Sequence, residues 1–331
     1  MKSFPRLLFV CLVLVGASVG NLSAQRLMGL PDNQKFSFIF DYSGSRSYEV
    51  ISNMKIEMNM QVAGESATIE MNVELSYTVT LTPAGRVKEG VSTLHLEPSD
   101  IGGVWDISVP GAQTLVHLYG SSISGTQNGV LFIDTEKGIG LSQAREFTDE
   151  LAGLYMSGEV DMDSAGRTIE IRGERKFFEF WKESNESQIG FFGIIFPPDS
   201  VAEGKTWTES ISMKKMGDVV LNGELESDVT FTREPDTETG GRRLSVFSVS
   251  GPFSKKNVTG FMSQAGQRVT LDILALDRSY SGTFLFDRTN GNLIDSSAKI
   301  DAIASMKMAV QQQSVDLEMI MDVDMRLRYL D

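Results

Sequence analysis

The feature that most constrains this chain is an alternation of period two. Met54, Ile56, Met58, Met60 and Val62 are apolar, and Asn53, Lys55, Glu57, Asn59 and Gln61 between them are polar. Past the turn-like "AGESAT", the apolar set moves to Ile69, Met71, Val73, Leu75, Tyr77, Val79 and Leu81. Two alternating runs around a short Gly/Ser loop read as an antiparallel hairpin with one covered face and one wet face. The C-terminus repeats the pattern. Ile300, Ala302, Ala304, Met306, Met308 and Val310 form one run, "QQQS" a turn, and Val315, Leu317, Met319, Met321, Val323, Met325, Leu327 and Tyr329 the other.

The length of these runs has a consequence. Residues 315–329 fully extended span about 50 Å, and burying their eight large side chains is worth on the order of 10–20 kcal/mol. Such a face must be covered. Only "SQAREFTDELAGLY" at 142–155 has a helical stripe, with Ala144, Phe147, Leu151 and Leu154 inward and Ser142 as N-cap. A helix of that length measures about 20 Å and leaves most of the face bare. Either a second sheet closes over the methionines, or a groove remains for a ligand or partner.

Further alternating stretches separated by "DSAG", "EPDTETGG" and "TNGN" fill the middle of the chain. The expected fold is mainly β: large curved antiparallel sheets, as a half-open barrel or two packed β units, with about one helix. "FFGIIFPPDSVAEG" at 191–204 is the expected junction between an N-terminal β-rich half (25–190) and a C-terminal one (191–331), or a bend within one continuous domain. "FIFDYSGS" at 38–45 resembles "FLFDRTNG" at 284–291, and both lead into the Met-rich hairpins. Duplication and two similar solutions to one packing problem both account for this.

The first 24 residues have the order of a secretory signal peptide: Lys2 and Arg6, an apolar run from Leu7, then small residues to Ala24. Cys11, the only cysteine, lies in that run behind Val10 rather than a small residue, which argues against a lipoprotein. The remainder has no thiol, hence no disulfide, Cys nucleophile or thiolate metal site. It carries 28 basic and 44 acidic residues, a net charge of −16, which disfavours nucleic acid and anionic lipid headgroups as partners. No later segment approaches 18 uninterrupted apolar residues, so no transmembrane helix is expected in the mature chain. The expected location is the periplasm or the outside of a bacterial envelope.

Chemistry-bearing motifs are sparse. His95 and His117 stand alone, each on the opposite side of its strand from leucine or valine neighbours, and read as solvent-facing. No nucleophile elbow appears. Asp100 and Asp106 beside Trp105 are the best carboxylate pair for a glycosidase-like site, and the plain alternative is a turn beside a buried Trp. "DMDSAGR" at 161–167 reads as a hairpin turn, not a calcium loop. "KFFEFW" at 176–181 and "FFGIIF" at 191–196 read as core before they read as a lipid-touching rim. Asn185 and Asn257 fit the glycosylation pattern. No catalytic residue, metal or cofactor is expected.

"FPPDSVAEGKTWTESISM", followed by "GTFLFDRTNGNLIDSSAKI" and the Met-rich tail, resembles a family of exported bacterial proteins known only as a domain of unknown function. Its Pro-x-x-x-Val-x-x-Gly-x-x-Trp stretch is approached by Pro198, Val201, Gly204 and Trp207, and a late turn motif loosely by Phe286 to Leu293. The resemblance implies location and lends no catalytic residues. The leading expectation is therefore a non-enzymatic protein binding an apolar small molecule or lipid in a groove lined by Met54, Met58, Met60, Met71, Met306, Met308, Met319, Met321 and Met325, because thioether side chains re-pack easily. The alternatives are an envelope module with a sealed core that contacts another envelope protein, and an outer-membrane barrel.

Overall fold

A computed structural model describes residues 37–62, 65–88, 90–174, 192–216, 219–264, 267–310 and 313–330. The leader-like segment, "KFFEFW" and Asn185 lie outside them. Fourteen antiparallel strands form one sheet. The N-terminal strands are β1 (Arg46–Val62), β2 (Glu65–Lys88), β3 (Val91–Val109), β4 (Ala112–Tyr119), β5 (Ser122–Gln127), β6 (Val130–Asp134), β7 (Gly158–Asp163) and β8 (Thr168–Gly173). The C-terminal ones are β9 (Thr206–Met216), β10 (Val219–Thr239), β11 (Arg242–Gln264), β12 (Gln267–Asp287), β13 (Asn292–Val310) and β14 (Gln313–Leu330).

The sheet order is β6-β5-β4-β3-β2-β1-β14-β13-β12-β11-β10-β9, with β7 paired to the start of β3 and β8 to β7. Each half is thus a meander of hairpins. The seam between them joins the first and last strands in unbroken register, from Ser47↔Leu330 to Val62↔Val315. The sheet does not close into a barrel, and its free edges lie in the middle of the sequence rather than at the chain ends. Both Met-rich hairpins form as the alternation predicts, with tips tighter than expected: Gln61 pairs with Ser66 and Val310 with Gln313, so part of each expected turn continues the ladder.

Curvature comes from local irregularities. Register shifts between β2 and β3, at Ser76/Thr78 and Pro83/Gly85, and between β12 and β13, at Ile273/Ala275 and Leu285/Phe286, bend these strands. As a result nearly all buried apolar side chains, from both halves, merge into one core. Segments 37–42 and 192–201 fill one end of the curl with stacked and edge-on rings. Phe38 lies 4.8 Å from Phe247 and 5.4 Å from Phe196, and Phe40 4.6 Å from Phe192, centroid to centroid. "FFGIIF" is core over its described part, Phe192–Phe196.

This aromatic plug is tied to the turn between β7 and β8. Phe40 N–H donates to Ser164 O (2.8 Å) and Phe196 N–H to Ala165 O (2.9 Å). Gly166 has φ +95°, and a Cβ there would sit 2.7 Å from the Phe40 ring and 2.8 Å from Ile194 O, so the turn needs glycine. From the same turn, Arg167 reaches Glu209 on β9 at 3.1 Å, bringing the two free edges of the sheet within one ion pair at this end. The look-alike segments 38–45 and 284–291 also meet: Asp41 N–H donates to Gly291 O, and Asp41 and Asp287 each accept the N–H two residues on, from Ser43 and Thr289.

The helix forms as α1 (Leu141–Glu150), continued by a 3-10 turn at Ala152–Tyr155. Ala144, Leu151 and Leu154 are buried, and the Phe147 ring meets Trp105 of β3 edge-on at 4.7 Å. Ser142 does not cap it. Gly140, in the left-handed region, takes the N-cap position, and the Ser142 hydroxyl donates to Gln143 Oε1 instead.

Candidate functional site

Directly paired residues of an antiparallel ladder point to the same face, so the register reads out the inner surface row by row. Four strands, β2-β1-β14-β13, carry the methionines, and β12 extends their rows. One row is Ile69–Met58–Met319–Ala304–Leu276, and the next is Met71–Ile56–Met321–Ala302–Arg278. Below them run Val73–Met54–Val323–Ile300–Tyr280 and then Leu75–Ser52–Met325–Ala298–Gly282. Three β14 methionines thus face alanines on β13, a large-to-small match that lets flexible thioethers fill the space left by Ala298, Ala302 and Ala304.

The structure brings all nine methionines to this one surface. Met54, Met58, Met71, Met319 and Met321 are 1–4 % exposed, Met306 and Met308 8 % and 7 %, and Met60 and Met325 are half-buried. The row through Met325 differs from its neighbours. Leu75, Ser52 and Met325 keep accessible surface, whereas Val73, Met54, Val323 and Ile300 one row up are buried, as are Val50, Leu327 and Ser296 one row down, with Tyr77 at that row's end half-buried. The row continues into Gly103 on β3 at one side, where the Trp105 ring packs over the glycine, and into Ala298 and Gly282 at the other. At Gly282 a Cβ would lie 2.7 Å from Ser297 O, so β12 and β13 meet there in a way that only glycine permits.

Besides the hydroxyls of Ser52 and Ser296, two polar groups interrupt the apolar face, and both of these lie on β12. Arg278 pairs with Ala302 on one side and Phe253 on the other, both buried. Desolvation lowers its pKa from the usual arginine value, and by accessible surface it is half-buried. Among the described residues no hydrogen bond or ion pair reaches its guanidinium. Tyr280, the next inward position, is 4 % exposed, and its hydroxyl has no partner. Burial raises the phenol's pKa, so it stays a neutral donor. A buried hydroxyl without a partner costs about 1–3 kcal/mol.

Sequence reading missed both groups. In "VTLDILALDRSY" the inward set Val269, Leu271, Ile273 is odd-numbered, and continuing that parity puts Arg278 and Tyr280 outside. The extra residue between Ile273 and Ala275 flips the parity, making Leu276, Arg278 and Tyr280 the inward set. The continuous apolar run Ile273, Leu274, Ala275 and Leu276, which breaks the alternation, was the available signal.

The other chemistry-bearing residues do not assemble. His117 is exposed, and His95 is half-buried opposite Glu159. Trp105 is buried, Asp106 accepts from Gln113 Nε2 at 2.8 Å, and Asp100 sits exposed at φ 52°. Asp163 accepts from the N–H groups of Ala165 and Arg167, as a hairpin turn requires. Among the described residues no group of three His, Cys, Asp or Glu could hold a metal ion. None of their helices is long and apolar enough to cross a membrane.

No protein-family model and no curated protein matches the chain. Among solved structures, the translocator domain of the autotransporter NalP from Neisseria meningitidis aligns at 9 % identity over 86 % of this chain and 90 % of its own, with a TM-score of 0.19. Pseudomonas aeruginosa OccK5 aligns at 9 % over 89 % and 100 %, TM-score 0.22. An outer membrane channel from Pseudomonas putida F1 aligns at 7 % over 88 % and 98 %, TM-score 0.22. Scores of this size do not amount to a shared fold.

Proposed function

We propose that this chain is an exported, non-enzymatic protein that holds an apolar or lipid-like guest against the methionine rows inside its curled sheet. The observation that carries the reading is the accessible row through Leu75, Ser52 and Met325, set between buried rows on an otherwise apolar inner face. Thioethers around such a space can re-pack to admit a chain of variable shape. Export rests on the leader-like first 24 residues.

A lipid-facing barrel is disfavoured by the direction of the alternation. In such a barrel the apolar side chains point outward and the lumen is polar. Here the apolar positions are buried, and the outward positions of the same strands carry Lys55, Glu57, Glu70, Glu74, Asp316, Glu318 and Asp324. A sealed structural module is the second reading, favoured by methionines as enclosed as Met58 and Met71.

Purification without detergent, followed by solvent extraction and mass spectrometry, tests the proposal together with uptake of a fluorescent fatty acid. A copurifying lipid or saturable uptake at about one site per chain is the expected result. A clean apoprotein that takes up neither fatty acid nor an apolar dye leaves the sealed module, and a chain that needs detergent to stay in solution overturns both.

A further inference from the structure

Arg278 is hard to account for as a structural residue. Its row neighbours are Phe253, Ala302, Met321, Ile56 and Met71, none of which can accept a hydrogen bond from a guanidinium in the way a carboxylate does. No acidic residue pairs with it among the described residues. The closest charge on the same face by register is another cation, Lys255, opposite Leu276 on β11. Tyr280 lies close enough for the two side chains to feel each other's charge, and its hydroxyl is also without a partner. A planar fork of donors, a buried neutral O–H beside it and methionines in the adjoining rows make up the complement of one chemical class.

Resting on the reading of an apolar guest, we infer that the guest is a single-chain amphiphile with an anionic head, a carboxylate or its equivalent, held by Arg278 with Tyr280 as second donor. Its chain lies among Met71, Met319, Met321 and Met325. Binding gives the guanidinium the counter-ion that the protein does not supply. The acidic exterior does not exclude such a ligand, because a single carboxylate enters with its chain and leaves its solvation only at the cation.

The test uses the full chain loaded with Nile red, a neutral reporter, and measures displacement by hexadecanoic acid, its methyl ester and hexadecan-1-ol, with acetate and inorganic phosphate as chainless anions. The acid is expected to bind at least about tenfold more tightly than the ester or the alcohol, a difference of about 1.4 kcal/mol, and the chainless anions not to compete. Arg278→Gln should lower the affinity for the acid to that of the ester and leave the ester unchanged, while Arg278→Lys should retain a preference for the acid. Because the guanidinium is unpaired in the free protein, Arg278→Gln should melt at the same temperature as the parent or higher. Equal binding of acid and ester by the parent, or a preference that survives Arg278→Gln, overturns the anionic head alone. Failure of all three long-chain probes overturns the apolar-guest reading beneath it. A fall in melting temperature for Arg278→Gln, with the parent showing no preference for the acid, would assign Arg278 a structural role.

Discussion

Asp161 on β7 shows how this chain satisfies a buried charge. It is 2 % exposed and accepts from both terminal nitrogens of Arg172 (2.6 and 2.7 Å) and from the Thr93 hydroxyl (2.7 Å). The Arg172 hydrogen bonds, more than any other influence, hold its pKa below the ordinary carboxylate value. A carboxylate depressed in the folded state contributes stability above its unfolded pKa of about 3.9 and loses it as the pH falls through the folded value. Arg172→Ala strands the carboxylate and should cost about 3–5 kcal/mol in denaturant unfolding at pH 7, with the cost shrinking below about pH 4. A uniform effect across that range would show that the pair does not govern the site. Arg278 is the counterpoint: an enclosed charge without the partner that Asp161 has.

The large-to-small rows of β13 and β14 make a prediction at the scale of the element. Ala304 is 1 % exposed and sits opposite Met319 and Leu276. Ala304→Leu should overpack the row and cost about 1–3 kcal/mol, whereas Met319→Ala should cost about 2–5 by opening a cavity. The double variant, measured by chemical denaturation, should recover part of the sum, because the two residues share one space. On the outer face of the same hairpin Asp301 opposes Asp322 directly. The side-chain contact with Asp301 raises the pKa of Asp322, while Lys299 lowers that of Asp301. A raised carboxylate weakens the fold above its folded pKa and stops doing so once protonated. Asp322→Asn should therefore stabilise the protein at pH 7 by a few tenths to about 1 kcal/mol, and the gain should fade in acid.

The plug is an element in its own right. Phe196, fully buried among Phe38, Phe40, Phe247 and Phe286, joins the mid-chain segment to β11 and β12. Phe196→Ala should cost about 3–5 kcal/mol. Thermal unfolding followed by near-UV circular dichroism, which reports aromatic packing, should show that end loosening first. Loss of the signal in one step with the whole sheet would make the plug inseparable from the core.

For the whole molecule, what was legible in the sequence follows the range of the interaction that produces it. Period-two alternation is local, so the inward faces of β1, β2, β13 and β14, the short helix and the core character of Phe192–Phe196 could all be read directly. The seam between β1 and β14 joins residues more than 250 positions apart, from Val62↔Val315 to Ser47↔Leu330, and nothing in either strand names its partner. Nor could the sequence locate the free edges, which depend on which strands run out of neighbours. The candidate site divides the same way. Its methionines follow from alternation, while Arg278 and Tyr280 turn inward only because one extra residue in β12 shifts the register. The resulting object is acidic outside, apolar inside and open along a mid-chain edge.

Residue-resolved methionine oxidation in detergent-free buffer, with and without hexadecanoic acid, tests this arrangement most directly. Met325 and Met60 should oxidise first, Met54, Met58, Met71, Met319 and Met321 should resist until the protein unfolds, and the fatty acid should slow Met325 selectively. Rapid, uniform oxidation of all nine methionines, or rates that the fatty acid leaves unchanged, would contradict it.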